Sequence, residues 1–107
     1  MYKIFVTKTF EDKLEKQEKN FKDWFEKTLD KLSENPFTGK PLRYEWFREK
    51  KFEKYRLYYL IYKEHVTIYF INISEKKNQQ QVINSIYLLL DFYKNEIEKL
   101  LKESSEL

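Results

Sequence analysis

The sequence predicts an α+β fold: an N-terminal strand, a helical hairpin, a three-stranded antiparallel meander that completes a four-stranded sheet, and a long C-terminal helix. Three observations carry this. Across residues 10–34, Phe10, Leu14, Phe21, Trp24, Phe25, Thr28, Leu29 and Leu32 fall largely on one helical face, with Lys and Glu alternating on the other. Residues 44–73 are rich in aromatic and branched side chains broken only by short polar turns, which is strand chemistry. Ile83, Ile86, Leu90, Tyr93, Ile97 and Leu100 recur at spacings of 3, 4, 3, 4 and 3, a helical seam.

At the N-terminus, Tyr2, Ile4 and Val6 alternate with Lys3, Phe5 and Thr7 in a short strand. Thr9 is expected to cap the first helix, with Asp12 in the capping-box position. The run from Glu15 to Asn20 holds no large apolar residue, so the region is either one long helix or a hairpin turning near Lys19-Asn20. Asn35-Pro36 ends it, because the residue before proline avoids helical angles. Residues 35–42 form a connector holding both prolines and the only glycine, and Gly39 is expected to supply a backbone angle that other residues tolerate poorly. A phosphate-binding loop would need more glycines and a following helix, so that reading is rejected.

The meander is expected at about 44–52, 55–63 and 66–73, with a tight turn at Glu64-His65. His65 stands alone and reads as a turn residue. The final helix, about 78–103, would be ~39 Å long at 1.5 Å per residue, longer than a small sheet covers. Its distal part, Tyr93 to Leu101, is therefore expected to pack on the first helical region or on another chain, as in a homodimer through this helix. The tail from Ser104 to Leu107 is expected to fray.

A chain of 107 residues makes one domain, 1–107, able to bury a core without staples. The absence of Cys excludes disulfides and thiolate metal sites, and a single His excludes His-paired catalysis and His-rich ligation. No apolar run approaches the roughly 20 residues that span a bilayer, and no secretory h-region follows Met1. The expected location is cytoplasmic. The formal charge of +3 hides a local excess: residues 40–63 carry eight Lys/Arg against three Glu. Such a surface attracts polyanions, RNA and DNA above all. The competing reading is a solvated sheet edge whose lysines block aggregation. Strand alternation puts Arg56 and Tyr58 on one face and Tyr55, Leu57 and Tyr59 on the other. The Arg56 face reads as the working face and the Tyr55 face as core.

Several joints of this layout carry recognisable motifs. Leu32-Ser33-Glu34-Asn35-Pro36 is followed by Gly39-Lys40-Pro41-Leu42. Arg48-Glu49-Lys50-Lys51-Phe52 places basic residues on the next strand, Tyr55-Arg56-Leu57-Tyr58-Tyr59 follows, and Ile73-Ser74-Glu75-Lys76-Lys77 ends the meander. This ordered set, across roughly residues 1–88, resembles the RelE/ParE toxin superfamily, and archaeal RelE-like members more than the bacterial type member. The resemblance implies the toxin of a type II toxin–antitoxin module, a ribosome-dependent endonuclease that cleaves mRNA by 2′-OH attack. The implied partners are a cognate antitoxin, the ribosome and mRNA, with no membrane, metal or cofactor. The alternative it implies is a non-catalytic or weakly catalytic binding module, RNA-binding or gyrase-poisoning like ParE.

By position, Arg56 resembles the family arginine that faces the scissile phosphate. Arg48 and Lys50 or Lys51 occupy the place of its strand-borne basic residues, and Lys76 or Lys77 that of a further arginine. Two departures stand out. Phe47 and Glu49 fall where catalytic lysines are expected, and Val82 and Ile83 where a tyrosine is expected, Tyr87 following a helical turn later. RNA cleavage by the 2′-OH needs a base, charge stabilisation at phosphorus and an acid for the leaving oxygen. Arginine cannot readily serve as base, whereas a lysine among like charges can. Lys50 or Lys51 is the base candidate, Arg56 and Arg48 are phosphate clamps, and Lys76 is a substrate contact. Lys40, Arg43, Lys54 and Lys77 are further RNA contacts. Arg56 is expected to be half-exposed, so that Arg56→Ala abolishes growth arrest or mRNA cleavage while leaving the fold intact.

Overall fold

The computed structural model describes residues 1–105 and builds them around a mixed five-stranded sheet of order β1-β5-β4-β3-β2. The strands are β1 (Lys3–Val6), β2 (Lys40–Leu42), β3 (Tyr44–Phe52), β4 (Tyr55–Tyr62) and β5 (Thr67–Glu75). Helices α1 (Lys8–Glu15) and α2 (Lys19–Glu34) follow β1; α3 (Gln79–Leu88) and α4 (Leu90–Ser105) follow β5. β1 pairs with β5 in parallel, and every other pairing is antiparallel. The four expected strands are present. The fifth, β2, lies within the expected connector; its Pro41 suits an edge, where no ladder hydrogen bond is lost.

Both faces of the sheet are buried, which the nearly continuous apolar runs of β4 and β5 require. On one face Phe10, Phe21, Phe25 and Leu32 of α1 and α2 meet Leu57, Tyr59, Ile61, Ile68, Phe70 and Ile73. On the other, Ile83, Ile86 and Ile97 of α3 and α4 meet Phe47, Tyr58, Leu60, Tyr69 and Ile71. This corrects the reading of the last helix. It breaks at Leu89, and both halves cover the same sheet face, so Tyr93, Ile97 and Leu100 pack in this chain's own core rather than on the helical hairpin or a second chain. The break leaves Leu88, Leu89 and Phe92 exposed. α4 runs through Ser105, so Ser104 is helical; Glu106 and Leu107 lie outside the described residues. Among the described residues no helix is long and apolar enough to cross a membrane.

Three local expectations change. Thr7, not Thr9, caps α1: its Oγ1 accepts from the Phe10 N–H at 3.0 Å and donates to the Ile71 carbonyl at 2.7 Å. The cap is thus held in place by β5. The hairpin turns between Lys16 and Glu18, so Lys19 and Asn20 already belong to α2. Gly39 has φ −72°, an ordinary angle. It is small for want of space: a Cβ there would lie 2.4 Å from Tyr59 Oη and 2.9 Å from the Glu49 carbonyl oxygen. The left-handed positions are instead Arg43, Glu53 and Val66, at φ 69°, 53° and 50°.

Candidate functional site

Period-two alternation along β3 and β4 decides which side chains meet. Glu49 is paired with Tyr58 and Lys51 with Arg56 on β4; Arg56 is in turn paired with Ser74 on β5. Lys40 on β2 is paired with Glu49. Paired residues share a face, so these side chains stand on the α3 side. Arg56 is buried, its Nε 3.4 Å from Glu49 Oε1, and its Nη1 donates to the Glu53 and Tyr55 carbonyls at 3.1 and 3.0 Å. Gln79, the first residue of α3, donates its amide to the same Glu49 oxygen. Tyr58 Oη and Ser74 Oγ share a hydrogen bond at 2.8 Å. Burial raises the Tyr58 pKa, the Ser74 hydrogen bond opposes it, and the phenol stays protonated across the physiological range.

The rim of this cluster is cationic. Lys51 is exposed at the end of β3. The Lys76 N–H donates to the Lys54 carbonyl at 2.7 Å, which ties the exit of β5 to the β3–β4 turn. Lys54 and Lys77 flank Glu75 at 3.4 and 3.3 Å and hold its carboxyl below the usual range, Lys77 contributing most. Lys51, Lys54, Arg56, Lys76 and Lys77 therefore gather at one end of the sheet. Among the described residues no group of His, Cys, Asp or Glu could hold a metal ion.

Arg48 and Lys50 are not part of this gathering, so the clamp and base candidates read from the sequence do not all share the face of Arg56. They pair with Tyr59 and Leu57 and so point to the hairpin side of the sheet. The Arg48 guanidinium is buried and donates to the Glu45, Phe37 and Gly39 carbonyls at 2.7, 3.0 and 2.7 Å. It holds the 35–42 connector. Lys50 is half-buried, and burial, then the neighbouring Lys31, lower its pKa. Arg43 stands at the other end of β3, over the Tyr87 and Tyr44 rings at 5.4 and 6.0 Å. Tyr87 donates to the Leu42 carbonyl at 2.9 Å, far from Arg56 in the sheet. Sequence reasoning missed Glu49, Ser74 and Gln79. For Glu49 a signal existed: alternation back from Lys51 puts it on the Arg56 face.

Comparison with known proteins bears on this arrangement. The family described as the ParE toxin of the type II toxin–antitoxin system parDE matches residues 4–79, from β1 to the first residue of α3. No curated protein matches. Among solved structures, a chain of the intact RelBE toxin–antitoxin complex of E. coli is similar at 19% identity and TM-score 0.64, covering 70% of this chain and 96% of that one. A chain of the RelBE2 toxin–antitoxin complex of Mycobacterium tuberculosis is 29% identical with TM-score 0.59, covering 69% and 96%. A chain of the RelE–RelB complex of the archaeon Pyrococcus horikoshii OT3 is 15% identical with TM-score 0.59, covering 69% and 93%. These identities do not favour the archaeal member. The likenesses to the E. coli and archaeal chains speak for the fold alone. The family match spans most of the chain and contains Glu49, Arg56 and Gln79, and the chain belongs to the ParE toxin family of type II toxin–antitoxin systems, within the RelE/ParE superfamily.

Proposed function

We propose that this toxin is a metal-independent endoribonuclease that cleaves mRNA on the ribosome and is silenced by a cognate antitoxin. One observation carries the reading: a carboxylate, a guanidinium and free lysines converge at one end of one sheet face, at Glu49, Arg56, Lys51 and Lys76. Glu49 takes the proton of the 2′-OH, a role that Lys50 cannot fill from the opposite face. The 2′-oxygen attacks phosphorus, the bond to the 5′-oxygen breaks, and a 2′,3′-cyclic phosphate remains. Arg56 balances the charge that builds on the phosphoryl oxygens. Lys51 returns a proton to the departing 5′-oxygen. The Glu49 and Arg56 side chains are only 4% and 8% exposed, so substrate must displace the Gln79 amide that covers the carboxylate. The solved RelE–RelB assemblies among its structural neighbours support an antitoxin as partner.

A second reading, a non-catalytic module that docks on a protein such as DNA gyrase, is favoured by the burial of both Arg48 and Arg56 against protein acceptors. Induced expression with mapping of mRNA 3′ ends on ribosomes separates the two. New internal ends, lost in Glu49→Gln and Lys51→Ala, support cleavage. Growth arrest without new ends, accompanied by loss of supercoiling, supports the second reading.

A further inference from the structure

A cleft of about 530 Å³ opens beside the Glu49–Arg56 cluster, between the end of α1, the exit of β5 and the first turns of α3. That size falls within the roughly 300–1,000 Å³ typical of small-ligand sites. Lys13, Lys16, Tyr55, Asn78, Gln81 and Ser85 line it. Ser74 belongs to both sites: it lines the cleft, and its hydroxyl bonds Tyr58 in the cluster.

The charges of the cleft do not balance from within. Lys13 is half-buried, and its ammonium donates to Asn72 Oδ1 at 2.7 Å and the Ile73 carbonyl at 3.1 Å, both neutral. Burial lowers its pKa, and no carboxylate offsets that effect. Lys16 is exposed at the C-terminus of α1. The carboxylate in the lining, Glu75, is already flanked by Lys54 and Lys77. An anion seated here would compensate Lys13. The remaining lining offers an aromatic ring from Tyr55 and donors and acceptors from Asn78, Gln81 and Ser85, which is what the face and edges of an unpaired base engage.

We propose that this cleft holds a nucleotide of the RNA strand next to the scissile phosphate, its phosphate on Lys13 and Lys16 and its base against Tyr55 and the α3 amides. The proposal rests on the RNA-directed reading above. The cleft continues the strand's path past Ser74 and gives the toxin a position at which base identity is read.

The test is binding of a short fluorescein-labelled single-stranded RNA, followed by anisotropy across a salt series. Lys16→Glu should weaken binding by about tenfold and lower the salt slope by about 1, as loss of one phosphate contact requires. Lys13→Met should weaken binding similarly, and Gln81→Ala should narrow the difference between RNAs of different base at one position. Lys99→Glu, an equal charge change on α4, is the control and should have a smaller effect. If Lys16→Glu and Lys13→Met bind like the control while Lys51→Ala still weakens binding, the cleft is no subsite and the RNA-directed reading survives. If the unaltered protein binds no RNA, the cleft proposal falls, and cleavage on the ribosome is decided by the mapped mRNA ends alone.

Discussion

Arg56→Met removes one partner of a pair that the fold has already taken out of water. The Glu49 carboxyl, its side chain 4% exposed, is then left with the Gln79 amide as its partner. Breaking a buried pair from one side costs roughly 3–5 kcal/mol, because the remaining charge is uncompensated. Against a total of about 5–15 kcal/mol for a domain, this is from about a fifth of the stability to all of it. Glu49→Gln is milder, because the Arg56 guanidinium keeps the Glu53 and Tyr55 carbonyls and the new amide oxygen still accepts; about 1–3 kcal/mol is expected. The double variant should cost less than the sum of the singles by roughly 2 kcal/mol, as contacting residues couple. Urea unfolding followed by the fluorescence of Trp24 and Trp46 measures all three. Additive costs, or a loss under about 1 kcal/mol for Arg56→Met, would refute the buried pair. The burial of Arg56 corrects the expectation that it is half-exposed and that its replacement leaves the fold intact, so toxicity of Arg56 variants has to be read against the folded fraction.

Gly39→Ala should destabilise by about 1–3 kcal/mol through overpacking, and by less in a Tyr59→Phe background, where the oxygen 2.4 Å from the new Cβ is gone. Val66 is half-exposed in a left-handed conformation; Val66→Gly should raise stability by about 1 kcal/mol, visible as a higher Tm, and a lower Tm would refute the strain. Ile97→Asp should cost about 3 kcal/mol or more and unfold the chain in a denaturant titration; a folded chain that only changes its association would return the seam to an intermolecular role. Burial pushes the Tyr59 phenol from 10.0 up to about 12, partly opposed by the Gly39 N–H and by Arg48. The unfolded chain then sheds a proton that the native state keeps, so stability holds below pH 10 and falls toward pH 12. Urea midpoints on either side of pH 10 check this, and Tyr59→Phe should flatten the fall.

The elements were legible where their period is strong. The β4 and β5 runs, the apolar face of α2 and the Asn35-Pro36 stop each state their structure locally. What escaped was set by contacts between distant segments. The Thr7 cap depends on a carbonyl of β5, 64 residues away. The break at Leu89 lies between Ile86 and Ile97, which share one core with Ile83, and nothing in the seam's spacing marks it. Gly39 is required by Tyr59 and the β3 backbone, not by its own angle. In the site, alternation along β4 alone sets Arg56 and Tyr58 on one face. Carried across to β3, it separates Arg48 and Lys50 from Lys51 and brings Glu49 forward. Gln79 was not reachable, because the entry angle of α3 is fixed by tertiary packing.

The parallel pairing of β1 with β5 imposes an order on synthesis. Lys3 leaves the ribosome early, yet its partner is Thr67. Until β5 emerges, β1 has no neighbour, and α1 and α2 carry apolar faces with an incomplete sheet to cover them. Closing so long a loop is entropically slow, and the waiting chain is exposed to misassociation. Helices α3 and α4 come later still, and with them Lys76 and Gln79. A nascent chain that stops within β4 has Glu49 and Arg56 but neither Ser74 nor Gln79, and no second face to keep their charges together. The cluster proposed as the working site is therefore complete only once β5 and the first residue of α3 have followed Glu49 and Arg56 out of the ribosome.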